Sequence, residues 1–120
     1  MVAVDDVEPA QEEIDRIFQA LADATRRDIL ARVIEREQSV SALAGAYRMS
    51  LPAVQKHVSV LERAGLVGKT RHGREQRVHG EPERIRAARE LLDRYEVLWR
   101  HRVAAIDALL AEERPRPTKE

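Results

Sequence analysis

The 120-residue chain has no cysteine, which removes disulfides, thiolate metal ligands and cysteine nucleophiles together. Aromatic side chains are scarce, with one Phe, one Trp and two Tyr, whereas sheet-rich domains draw heavily on them. No apolar run approaches the roughly 20 residues that cross a bilayer. The first residues are acidic, where a secretory signal is basic ahead of an apolar stretch. Membrane insertion and export are therefore not expected, and a cytoplasmic location is. Net charge is absent as well, which taken alone argues against a nucleic-acid partner. The remaining composition, 43% hydrophobic and 35% charged, fits one mainly helical domain with a modest core that association would help to stabilise.

The zero net charge conceals a segregation. Residues 1–15 carry −6, whereas residues 55–80 hold Lys56, Arg63, Lys69, Arg71, Arg74 and Arg77 against Glu62 and Glu75, a net +4. Around the start of that basic segment, residues 51–64 read as a short amphipathic helix. Val54, Val58 and Leu61 form one stripe, and Pro52, Lys56, Ser59 and Arg63 lie opposite. Ser50 supplies an N-cap, Pro52 fits the first turn, and Gly65 can take the left-handed conformation that ends a helix. Upstream, residues 39–47 read as another short helix capped by Ser39, with Arg48 and Met49 as the connection. Downstream, Val67–Arg71 and Glu75–His79 flank His72-Gly73-Arg74 as a hairpin. A helix-turn-helix followed by a basic hairpin is the order of a winged helix.

Residues 1–10 are expected to be disordered. From Gln11, the stripe Ile14, Ile17, Phe18, Leu21 predicts an amphipathic helix. A second helix, capped by Asp23, carries Ile29, Leu30, Val33 and Ile34 as its core face through Glu37. After Gly80 and Pro82 a helix is predicted from about Glu83 to Glu112, with Ile85, Ala88, Leu92, Tyr95, Trp99, Val103, Ile106 and Leu110 at steps of three or four. About 30 residues at 1.5 Å rise span about 45 Å, more than a domain this size covers alone, so the helix is expected to pack on a copy of itself. Residues 11–112 thus form one mainly α, winged helix-turn-helix domain with a small β-hairpin wing and a long C-terminal dimerisation helix. Residues 113–120 are expected to form a disordered tail.

Leu21-Ala-Asp-Ala-Thr-Arg-Arg-Asp-Ile-Leu30, Ser39-Val-Ser-Ala-Leu-Ala44, Met49-Ser-Leu-Pro-Ala-Val-Gln-Lys-His-Val58 and Leu61-Glu-Arg-Ala-Gly-Leu-Val67 resemble, in order, the ArsR-type regulators of transcription. The resemblance covers residues 11–112. It implies a dimeric DNA-binding repressor whose first and last helices form the interface, here Ile14, Ile17, Phe18, Leu92, Tyr95, Trp99, Val103, Ile106 and Leu110. It also implies that the second helix of the helix-turn-helix enters the major groove while the wing meets flanking DNA. Many such proteins respond to metals. Here Val40-Ser-Ala-Leu-Ala-Gly45 stands where the family's cysteine pair would, and His101 has no carboxylate or imidazole three or four residues away. The chain resembles the branch without the usual metal sites; no metal and no cofactor is expected, and the effector is left open between a small molecule and a protein.

Each candidate contact has a chemical reason. Gln55 matches adenine, and Lys56 reaches guanine or phosphate; Ser59 and Arg63 share that outer face. Leu51 and Pro52 offer apolar contact to thymine methyls, and Ser50 stands at a helix N-terminus suited to phosphate. His57 is divided between phosphate contact and a structural hydrogen bond. Arg74 at the wing tip fits the minor groove or a phosphate, whereas Lys69, Arg71 and Arg77 fit backbone contacts or solvated strand positions. No Gly-rich phosphate loop or activated nucleophile is recognisable, so an enzyme is not expected. The competing class is a dimeric winged-helix interaction module that no longer binds DNA.

Overall fold

In the computed structural model, which describes residues 2–113 and side chains from Gln11 onward, short polar caps set the starts of three helices. The elements are α1 (Val2–Leu21), α2 (Ala24–Glu35), β1 (Gln38–Ser39), α3 (Val40–Tyr47), α4 (Leu51–Arg63), β2 (Val67–His72), β3 (Glu75–Gly80) and α5 (Glu83–Glu113). Asp23 accepts the Arg26 N–H at 3.0 Å, Ser39 that of Ala42 at 3.0 Å, and Ser50 that of Ala53 at 3.3 Å. Each satisfies a first-turn donor that has no partner within its helix. These are the caps read from the sequence.

Helix ends are equally specific. After α4, Gly65 adopts φ +76°; its N–H reaches the Glu62 carbonyl at 2.9 Å, and the Leu66 N–H reaches Leu61 at 3.0 Å. This paired closure turns the fully buried Leu66 back into the core. The end of α3 repeats the pattern without a glycine. Arg48 takes φ 54°, donating to Gly45 at 3.4 Å, and the Met49 N–H meets Ala44 at 3.1 Å. A left-handed arginine costs on the order of 1–2 kcal/mol; the turn between the two short helices is therefore held by the packing around it.

The chain divides into two compact units, Met1–Ala88 and Arg89–Glu120. In the first, Ile17, Ile29, Leu43, Val54, Val58, Leu61, Leu66 and Val78 are the largest fully buried side chains. Ile85 and Ala88 bring the start of α5 into the same core, and Arg84 joins Glu13 of α1 at 2.8 Å. Arg26 donates to the Ala20 carbonyl at 2.8 Å and to Gln19 at 3.0 Å, satisfying the end of α1 from α2.

Four sequence readings need correction. Helix α1 begins at Val2 rather than Gln11, across the segment expected to be disordered. Hydrophobic periodicity, the signal read from Gln11 onward, does not mark where a helix starts ahead of its first stripe residue. Ile17, expected at a dimer interface, is fully buried inside its own subunit and has no surface for a partner. Ile34, expected in the core, is 50% exposed. It lies at the edge of the core under β3, so closely that a Cβ on Gly80 would sit 2.6 Å from its Cγ1. Helix α2 stops at Glu35, and β1 follows, pairing Gln38 with Val78 and Ser39 with Arg77 in a sheet ordered β1-β3-β2. A two-residue strand has no periodicity to read. The expected tail lies outside the described residues apart from Glu113, which ends α5.

Candidate nucleic-acid interface

Helix α4 is fixed from below. Val54, Val58 and Leu61 are all fully buried, leaving Pro52, Gln55, Lys56 and Arg63 exposed on the other side with Ser59 half-buried. Leu51 is also exposed, in the first turn. An apolar stripe locked in a core gives the outer face a defined orientation, which direct base readout requires. Among the described residues, Lys56 and Arg63 have no carboxylate within ion-pair distance, so both charges are available to a phosphate or base edge. His57 turns the other way. It is half-buried, and the Arg26 Nη1 donates toward its Nδ1 at 3.4 Å.

The wing is a hairpin of β2 and β3 with His72 opposite Glu75. Gly73 has φ +65° and Arg74 has no positive φ, the pattern of a two-residue type II′ turn, whose twist matches the strands. Its four expected cations divide. Lys69 reaches back to Glu62 of α4 at 3.2 Å, bracing the wing on that helix, and Arg77 pairs with Glu75 at 3.1 Å. Arg71 and Arg74 are exposed and, among the described residues, have no ion-pair partner. Carboxylates determine which wing charges are free, and the basic residues alone do not reveal it. Glu37 also accepts from Thr70 at 3.1 Å and lies 3.7 Å from His72.

A node that sequence reasoning missed joins α3 to α2. The Tyr47 hydroxyl donates to Asp28, Arg32 donates to the same carboxylate at 3.2 Å, and the Arg32 guanidinium stacks 5.0 Å from the Tyr47 ring centroid. The Asp28–Arg32 half is visible as an i, i+4 pair; Tyr47 is too distant in sequence to be associated with it. Partial burial, and then the Asp28 carboxylate, push Tyr47 up from 10.0 to about 12, while Asp28 is held below its ordinary value first by that hydroxyl and then by Arg32. A folded value above the unfolded one means that the neutral phenol stabilises the fold. That stabilisation is complete below 10.0 and is lost as pH rises through about 12. In a Tyr95→Phe background, ultraviolet titration of tyrosinate should place Tyr47 near the upper value; a midpoint near the ordinary one would show the node to be absent in solution.

In the second unit, α5 carries exposed Leu92, Tyr95, Trp99, Val103, Ile106 and Leu110, with Trp99 at 68%. Leu98 at 63% and Leu109 at 61% lie beside that stripe. Among the described residues, these are large apolar side chains left exposed on that helix. Ile14 and Phe18 of α1 are half-buried, and Phe18 packs on the core of the first unit. Among the described residues, no three His, Asp or Glu side chains converge as a metal site, and no helix is long and apolar enough to cross a membrane.

Residues 21–68 match a helix-turn-helix domain family. The HTH-type transcriptional regulator Rv2034 of Mycobacterium tuberculosis is 40% identical over 81 residues, 68% of this chain and 76% of that protein. The crystal structure of an ArsR family transcriptional regulator, RHA00566, matches with a TM-score of 0.70 at 37% identity, over 75% of this chain and 93% of that one. An ArsR-like transcriptional regulator from Rhodococcus sp. RHA1 matches with a TM-score of 0.71 at 33% identity, over 82% and 93%. Identity at this level over most of those proteins, on a shared winged-helix frame, makes this chain a member of the ArsR family of helix-turn-helix transcriptional regulators.

Proposed function

We propose that the protein is a cytoplasmic, dimeric repressor that reads a near-palindromic operator in double-stranded DNA. In this reading α4 lies in the major groove, with Gln55 and Lys56 at base edges, Leu51 and Pro52 against thymine methyls, and Ser50, Ser59 and Arg63 on or near the backbone. Arg74 and Arg71 carry the wing onto flanking phosphates or the minor groove; Lys69 and Arg77 brace the wing before they contact DNA. The observation that carries it is the division of α4: a face buried in the core, and an opposite face whose cations have no ion-pair partner among the described residues. A two-fold dimer through α5 would set half-sites one helical turn apart, about 34–36 Å.

Titrating the protein against DNA upstream of its own gene and against a scrambled duplex, at several salt concentrations and with or without zinc, tests the reading. Tighter binding to the native fragment is expected, with affinity falling steeply as salt rises because several phosphate counterions are displaced. Weak, equal binding to both duplexes would favour the interaction module. Loss of binding only with zinc would reveal a metal site assembled between subunits.

A further inference from the structure

Between α1 and α4 lies a groove of about 260 Å³ lined by Arg16, Gln19, Val60 and Arg63. Its walls are held by the core, since Ile17 and Ala20 of α1 and Val58 and Leu61 of α4 are buried beside the lining residues. Its charge is poorly compensated. Arg16 has Glu12 at 3.9 Å, a turn away on its own helix; among the described residues Arg63 has no carboxylate within reach. Two other cations of this unit are matched across elements, Lys69 by Glu62 and Arg84 by Glu13. Two guanidiniums, a carboxamide and one apolar side chain form a set that recognises carboxylate or phosphate oxygens by forked hydrogen bonds.

We propose that this groove binds a small organic anion with two acidic groups, one held at each arginine, with the carbon skeleton resting on Val60. The volume sits below the roughly 300–1,000 Å³ of drug-sized sites, which fits a small di- or tricarboxylate or a phosphate ester. The occupant bridges α1 to the last turn of α4 and neutralises Arg63. Its consequence for DNA rests on the regulator reading above; its binding does not.

Citrate, with inorganic phosphate as the simpler oxyanion, serves as the probe. Calorimetric titration of the full chain at constant ionic strength should give saturable binding at one site per chain, at least about tenfold weaker in Arg16→Gln and in Arg63→Gln. Binding should be unchanged in Arg86→Gln, which alters an exposed arginine outside the groove, and circular dichroism confirms that each variant is folded. No saturable binding, or equal binding in all four proteins, would overturn the site. With DNA present, citrate should weaken binding beyond a sodium chloride control of matched ionic strength, in the wild type but not in Arg16→Gln. Failure of that arm alone overturns the coupling. If citrate does not bind while Arg16→Gln flattens the salt dependence of DNA binding, the two arginines hold a DNA phosphate and the small-anion site is refuted.

Discussion

Ile106→Asp is expected to convert a dimer into monomers. Helix α5 presents Leu92, Tyr95, Trp99, Val103, Ile106 and Leu110 at steps of three and four, all exposed in the single chain. Burying one large apolar side chain contributes about 1.5–3 kcal/mol, and a continuous stripe of them is the signature of a surface meant for a partner. A two-fold contact brings the same stripe from each copy, so one substitution acts twice. Two carboxylates placed within an apolar seam must be desolvated without partners, at a cost of several kcal/mol, and the dimer constant should weaken by at least about a hundredfold. Sedimentation velocity over a range of protein concentrations reads this directly. His101→Ala, on the opposite side of the helix, should remain dimeric. Unchanged association in Ile106→Asp would remove the stripe from the interface and leave its exposure without an explanation.

The same helix shows how far local pattern extends. Its length and stripe were legible because periodicity is a property of the chain itself, as were the caps Asp23, Ser39 and Ser50, the closing Gly65, and the buried triplet Val54, Val58 and Leu61. Each rests on chemistry within one or two turns. What escaped depends on neighbours distant in sequence. Ile17 and Ile34 look alike as members of an apolar stripe, yet one is sealed into the core and the other half-emerges beneath β3. The pairing of β1 is decided by β3 some forty positions later. For the candidate site, the basic residues were identifiable and their availability was not. Lys69 and Arg77 are engaged by Glu62 and Glu75, whereas Lys56, Arg63, Arg71 and Arg74 have no ion-pair partner among the described residues, and composition treats all six alike.

That division sharpens the contrast expected between Gln55→Ala and Arg74→Ala. Gln55 projects from the exposed face of a helix locked by Val54 and Val58, and its carboxamide can donate and accept at an adenine edge. Its loss should cost about 1–3 kcal/mol on the operator, leave random DNA nearly unaffected, and relax preference at one base pair in each half-site. Arg74 sits at the tip of a hairpin whose turn is set by Gly73, where it carries charge without a fixed base partner. Its loss should weaken specific and random DNA alike and reduce the slope of log affinity against log salt by about one. Anisotropy titrations of both variants on operator and scrambled duplexes at several salt concentrations separate the two effects. Equal losses on both duplexes from Gln55→Ala would mean that α4 meets only phosphates, and selectivity would then have to come from the shape of the DNA. An unchanged salt slope in Arg74→Ala would instead move the wing off the duplex and leave α4 to carry the contact alone.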